Sequence, residues 1–61
     1  MNDKFVVYCE DDGMFFNATA EIRFTPHVYQ AKTFDTLEDV KSFVRLNWLF
    51  YGPMTIFQVK D

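Results

Sequence analysis

The stretch DTLEDVKSFVRLNWLFYGP, residues 35–53, predicts the one long helix around which this 61-residue chain is organised. Its start is marked by Asp35 or Thr36, either of which can accept a backbone N–H as the N-cap, and by the acidic residues that follow, which favour the positive end of the helix dipole. Its end is marked by the Gly52-Pro53 pair, because glycine suits a left-handed C-cap and proline forbids continuation. We therefore predict that the helix ends near Phe50.

One face of this helix is apolar at helical spacing, which predicts that it packs against a sheet. That face carries Leu37, Val40, Phe43, Val44 and either Asn47 or Trp48. The helix finishes with four bulky side chains in succession, residues 48–51, and a small core cannot take all four. At least one or two of them are expected to be exposed or to contact a partner.

Two strands are predicted before the helix. Residues 4–10, KFVVYCE, carry apolar side chains on both faces, which is typical of a central strand. Asp-Gly at residues 12–13 is a strong signal for a hairpin turn. Residues 14–24 then alternate, with one face made of Phe16, Ala18, Ala20, Ile22 and Phe24. We predict a single strand over 14–24, paired antiparallel with the first.

A last strand is predicted over residues 54–60, after a short helical turn that begins at Pro26 and runs to about Ala31. A right-handed crossover through the helix places this strand parallel to the second one. The sequence therefore predicts one α+β domain over residues 1–61. Its order is ββαβ, with a three-stranded antiparallel or mixed sheet in the order 2-1-3 and the helix on one face.

One helix cannot cover both faces of such a sheet, so some aromatic surface is expected to remain. Twelve of the 61 residues are Phe, Tyr or Trp. If Phe16 faces the helix, then Phe15 lies on the open face with Val6 and Tyr8 or with their alternates; the opposite assignment is equally compatible with the pattern. The residues predicted to bind a partner are Tyr8, Phe15, Trp48, Phe50 and Tyr51, with the acidic run Glu10, Asp11 and Asp12. The alternative is that the aromatic residues only complete a small core, and that the acidic run is a solvated turn.

The sequence offers little for catalysis or cofactor binding. One cysteine and one histidine exclude an internal disulfide and a cluster of the usual zinc ligands. Cys9 is expected to act as a small buried hydrophobe and His27 as an exposed loop residue. We predict no catalytic residues, no metal and no cofactor, and we expect the chain to be too small for a pocket of about 300 Å³ unless two chains share it.

Charge and hydropathy bear on the partner. A net charge of −3 disfavours direct nucleic-acid binding, which needs clustered basic residues. No run approaches the roughly 20 apolar residues of a membrane span, and the N-terminus lacks the pattern of a signal peptide. We expect a cytoplasmic protein whose partner is another protein or a second copy of itself.

The segment AKTFDTLEDV, residues 31–40, resembles a motif in small uncharacterised proteins of phages and their bacterial hosts. In those proteins a hairpin is followed by Ala-x-x-Phe-x-Thr-x-Glu, a helix and a closing strand. The resemblance covers most of the chain in layout and about ten residues in detail. It implies a small accessory protein, and some members of this group inhibit host or defence proteins.

Three hypotheses follow. The first is a non-enzymatic protein-binding module, phage-encoded and regulatory or inhibitory. The second is a structural homodimer or assembly subunit whose aromatic residues are buried between copies. The third, clearly weaker, is an enzyme or a carrier of small ligands. An acidic mimic of nucleic acid is a further weaker alternative.

Overall fold

The computed structural model describes residues 3–17 and 24–60. In this part of the chain the elements are β1 (Asp3–Cys9), β2 (Met14–Phe16), β3 (Phe24–Thr25), a single 3₁₀ turn (Val28–Gln30), α1 (Leu37–Tyr51) and β4 (Met54–Lys60). The four strands form one antiparallel sheet in the order β3-β2-β1-β4. The predicted α+β class, with one helix packed on a sheet, is confirmed, but the sheet has four strands where three were predicted.

The first strand is the centre of the sheet, as its two apolar faces predicted. β4 pairs with it antiparallel over seven residues, from Asp3↔Lys60 to Cys9↔Met54. β2 pairs with its other edge, also antiparallel, so β2 and β4 run parallel to each other as expected. Where β2 has ended, Phe34 takes its place: Phe5 N–H donates to the Phe34 carbonyl at 2.9 Å, and Phe34 N–H donates to the Phe5 carbonyl at 2.8 Å.

The prediction of one continuous strand over residues 14–24 is wrong, because the chain reverses within it. β2 and β3 pair antiparallel through Phe15↔Thr25 and Phe16↔Phe24. Each pair joins two odd or two even positions, and paired residues share a face of the sheet. A hairpin in this register therefore keeps the alternation of a single strand, and the period-two pattern does not distinguish them. Ala18, Ala20 and Ile22, which were predicted to face the helix, lie outside the described residues.

The helix begins and ends close to the predicted positions. Thr36 is the N-cap, and its hydroxyl accepts a hydrogen bond from the backbone N–H of Asp39 at 3.1 Å. The last helical residue is Tyr51, one beyond the prediction. Gly52 has the expected positive φ of 74°, but its ψ of −157° is not that of a left-handed helical C-cap. The reason lies in tertiary structure, because Gly52 turns the chain directly into β4.

The core lies between α1 and one face of the sheet. Its buried members are Val7, Cys9, Phe16, Phe34 and Val40. Phe43 joins the helix to both sides of this cluster, with its ring centroid 4.6 Å from that of Phe16 and 5.2 Å from that of Phe34. Phe16 therefore faces the helix, which decides between the two face assignments that the sequence left open.

Candidate functional site

The outward side of α1 carries three large apolar side chains that are mostly exposed. Leu46, Leu49 and Phe50 have 75%, 77% and 81% of their surface accessible. They stand at positions i, i+3 and i+4, so they are neighbours on the helix and form one continuous strip, here called the outer stripe. The opposite side of α1 is already occupied by the core. Among the residues that the structure describes, the outer stripe is thus an apolar surface that no other element covers.

The four bulky residues that end α1 point in different directions. Tyr51 turns inward, with its ring 5.7 Å from Phe16 and 5.6 Å from Phe24. Trp48 is 56% exposed but lies on the other flank of the helix, about 140° around the axis from Phe43. Trp48 therefore points away from the flank on which Phe43 packs. The predicted contact residues Trp48, Phe50 and Tyr51 are therefore not brought together on one surface.

The open face, opposite α1, carries a second aromatic group. The rings of Tyr8, Phe15 and Phe57 meet edge to face, with centroid separations of 5.1 Å for Tyr8–Phe15 and 6.2 Å for each of the other two pairs. Tyr8 and Phe15 are half-buried, Phe57 remains 46% exposed, and Val6 on the same face is fully buried. The predicted grouping of Tyr8 with Phe15 on the open face is confirmed in its geometry. These rings cover one another and leave a smaller apolar surface than the outer stripe does.

The acidic run Glu10, Asp11 and Asp12, here called the acidic turn, lies against the end of α1. Glu10 N–H donates to the Pro53 carbonyl at 3.1 Å, and its carboxylate accepts a hydrogen bond from the Thr55 hydroxyl at 2.6 Å. The Asp11 carboxylate sits so close to Gly52 that a Cβ there would overlap it.

This placement concentrates negative charge at one end of the molecule. The C-terminus of a helix carries a partial negative charge, which basic side chains in the last turn usually offset. The last turn of α1 contains no basic residue, and the acidic turn adds carboxylates beside it. The negative charge is therefore at the same end of α1 as the outer stripe.

Chemically versatile side chains are few and scattered in the described residues. No group of three or more His, Cys, Asp or Glu residues there is placed to hold a metal ion, and the acidic turn is no exception. His27 is exposed, with its ring stacked on Tyr29 at 5.2 Å. Cys9 is fully buried in β1; burial, and secondarily the Asp12 carboxylate, raise the pKa of its thiol. The thiolate that would act as a nucleophile is thus disfavoured.

We expect Cys9 to be unreactive in the folded protein. At neutral pH, a disulfide reagent such as Ellman's reagent should label it only when the fold opens, because both access and a raised pKa oppose the reaction. The release of thionitrobenzoate measures the rate, and the same protein in concentrated urea is the control. Labelling of the native protein as fast as that of the unfolded chain would show that Cys9 is accessible.

A shallow groove of about 340 Å³ lies beside the start of β1 and the end of β4. Its size exceeds what a chain this short was expected to offer. It is lined by Lys4, Val28, Tyr29, Thr33, Val59 and Lys60. None of these residues carries a carboxylate, an imidazole or a thiol. The Lys4 Nζ atom is paired with Asp35 Oδ1 at 2.5 Å. The groove therefore brings together none of the candidate catalytic residues.

Comparisons with sequence families and with known structures do not indicate a function. No family model, curated protein or solved structure matches this chain. Within the described residues, no helix is long and apolar enough to cross a membrane.

The sequence interpretation missed two groups of exposed residues. Leu46 and Leu49 belong to the outer stripe, and their i, i+3, i+4 relation with Phe50 is visible in the sequence once the inward face of α1 is assigned. Phe57 belongs to the open face, where it pairs with Val6 in the register of β1 and β4. Both signals require knowing which residues the core has already taken.

Proposed function

We propose that this protein is a non-enzymatic protein-binding module that docks through the outer stripe. The observation that carries the proposal is the exposure of Leu46, Leu49 and Phe50, at 75–81%, on a well-capped helix. Removing one such side chain from water contributes roughly 1.5–3 kcal/mol. Three adjacent residues of this kind form a continuous exposed apolar patch, which is the type of surface that marks interaction sites.

The chemistry of the surface indicates the chemistry of its partner. We expect an apolar groove or patch bordered by lysine or arginine, since the outer stripe lies at the end of α1 that has no basic residue in its last turn and that packs against the acidic turn. The net charge of −3 supports the same choice, because it favours association with a basic surface. Binding should accordingly weaken as salt concentration rises.

The resemblance of residues 31–40 supports one form of this proposal. In that form the protein has a regulatory or inhibitory role, exerted on a host or defence protein of a phage-infected cell. A small domain that covers a functional groove of a larger protein needs no catalytic residues of its own. Mimicry of nucleic acid is less well supported. The acidic turn and the acidic group at residues 35–39 lie at opposite ends of α1, about 22 Å apart, and Asp35 is engaged by Lys4.

Site-specific photo-crosslinking tests the proposal. A benzophenone amino acid at Phe50 should capture a discrete protein from an extract of the source cells, whereas the same group at Lys41 should not, because Lys41 is exposed on the other flank of α1. The captured protein is then purified, and its affinity is measured by calorimetry.

A matched pair of charge variants completes the experiment. Leu49→Glu should weaken binding of the captured protein at least about tenfold, since a carboxylate would enter a desolvated contact. Lys41→Glu adds even more negative charge at an exposed position off the stripe and should bind within about threefold of the unchanged protein. Equal affinity for the Leu49→Glu variant and the unchanged protein would refute docking through the outer stripe.

A further inference from the structure

The outer edge of β4 is a strand edge that no described strand pairs with, and it is separate from the outer stripe. β4 stands at one end of the strand order. It is seven residues long and carries a single charge, that of Lys60, at its end. Natural proteins usually protect such an edge with charges, proline or a bulge, because it can pair with another strand. Here none of these devices interrupts residues 54–59.

The hydrogen-bond pattern shows which backbone groups this edge presents. Phe5 directs its N–H and C=O to Phe34, on the side of β1 away from β4. Backbone groups of successive residues alternate between the two edges of a strand, so Lys4, Val6 and Tyr8 direct theirs towards β4. The hydrogen bond from Glu10 N–H to the Pro53 carbonyl follows the same alternation, because Glu10 continues the even-numbered series that faces the β4 side.

The register of β1 and β4 then assigns the groups of β4. Val59, Phe57 and Thr55 stand opposite Lys4, Val6 and Tyr8, and they use their backbone groups towards β1. The residues whose N–H and C=O groups point outward are therefore Met54, Ile56, Gln58 and Lys60.

We propose that two copies of this chain pair through β4, antiparallel about a two-fold axis at Phe57, to form a continuous eight-stranded sheet. In this register Met54 stands opposite Lys60 of the second copy, and Ile56 stands opposite its Gln58. All four outward-pointing residues of each strand then meet outward-pointing residues of the other. Every backbone donor and acceptor along the edge is then satisfied. Any other antiparallel register that pairs outward-pointing residues with each other leaves part of the strand unpaired.

The side chains are compatible with the same axis. Phe57, which is 46% exposed, would meet its own copy in a non-hydrogen-bonded pair, the closer of the two antiparallel pair types. The two aromatic groups of Tyr8, Phe15 and Phe57 would join into one band across the axis. The only charged residue of the strand, Lys60, would face the apolar Met54 and not a like charge.

The pairing closes at two copies and leaves the outer stripe free. The other edge of the sheet is β3, only two residues long. A two-fold contact uses the same surface on both copies, so it does not propagate. α1 packs across β1 and β4, which places the two helices about 10–14 Å apart, at or beyond the usual helix-packing distance. Both outer stripes would point away from the axis.

Disulfide trapping in the full chain tests the register. Phe57→Cys places two thiols on the axis with Cα atoms about 4.5 Å apart, within the range that a disulfide bridges. Gln58→Cys is the matched control, because its two copies would be about 8 Å apart and out of range. In a glutathione redox buffer, we expect at least tenfold more covalent dimer from Phe57→Cys than from Gln58→Cys. Cys9, fully buried, stays out of the reaction.

Sedimentation equilibrium on the unaltered chain supplies the second measurement. The edge of one strand is a small contact, so we expect a monomer–dimer equilibrium in the micromolar range and a melting temperature that rises with protein concentration. Gln58→Pro removes an outward N–H without touching the bonds to β1, and it should lower the dimer fraction at least tenfold. A monomer at all concentrations up to millimolar, or equal cross-linking at positions 57 and 58, would overturn the proposal. Leu49→Glu should leave the dimer intact, so a failure of the outer-stripe proposal would be recognised separately.

Discussion

Replacing Phe16 by alanine is expected to leave most of the protein unfolded at room temperature. The Phe16 side chain is 8% exposed, and its ring lies within about 6.5 Å of Phe24, Phe43 and Tyr51. Truncating a buried phenylalanine costs about 3–5 kcal/mol, through lost burial and the cavity that remains. A domain of about 60 residues buries a small share of its surface and has little more stability than this.

The neighbouring residue provides the control. Phe15 is the same residue type on the same strand, but it is half-buried on the open face against Tyr8 and Phe57. Phe15→Ala should cost about half as much or less, since part of its surface already meets water. Urea unfolding followed by circular dichroism measures both variants. Equal losses for the two would show that the open face is as much a core as the face under α1.

The contrast between these two phenylalanines shows what the sequence could and could not predict. The hairpin turn, the central strand and the helix bounds rest on local signals, and each was predicted close to its observed place. The reversal between β2 and β3 was not, because pairs such as Phe16↔Phe24 preserve the alternation of a straight strand. The face of the sheet that lies under α1 can be assigned only from a tertiary contact, here the one between Phe16 and Phe43.

The candidate surfaces were predictable to a similar degree. An excess of aromatic residues over what one core can hold was visible in the sequence, and Trp48 and Phe50 are indeed exposed. Tyr51 packs against the core, because it follows Phe50 directly and so lies on a different side of the helix axis. The outer stripe and the free edge of β4 emerge only when the positions taken by the core and by β1 are known. Their roles in binding stay predictions until the experiments above are made.

The meeting of the acidic turn and the helix end also depends on tertiary structure, and it leads to the second large effect. Gly52→Ala is expected to destabilise the protein by about 3 kcal/mol. A φ of 74° with a ψ of −157° belongs to a region that is essentially restricted to glycine, and strain of this kind costs about 1–3 kcal/mol. The new Cβ would also overlap the Asp11 carboxylate, so that exposed side chain would have to shift, at a small further cost.

A double-mutant cycle separates these two causes. Asp11→Ala removes the carboxylate that the new Cβ would meet, so in that background Gly52→Ala should cost less by the contribution of the overlap, and the backbone strain should remain. Gly13→Ala is the control for positive φ alone. Its φ is 64°, but the nearest atom to its added Cβ is the Tyr8 hydroxyl oxygen at 3.7 Å, so it should cost about 1 kcal/mol. If Gly52→Ala cost as much in the Asp11→Ala background as in the unchanged protein, the Asp11 carboxylate would not be held against Gly52 at the end of α1.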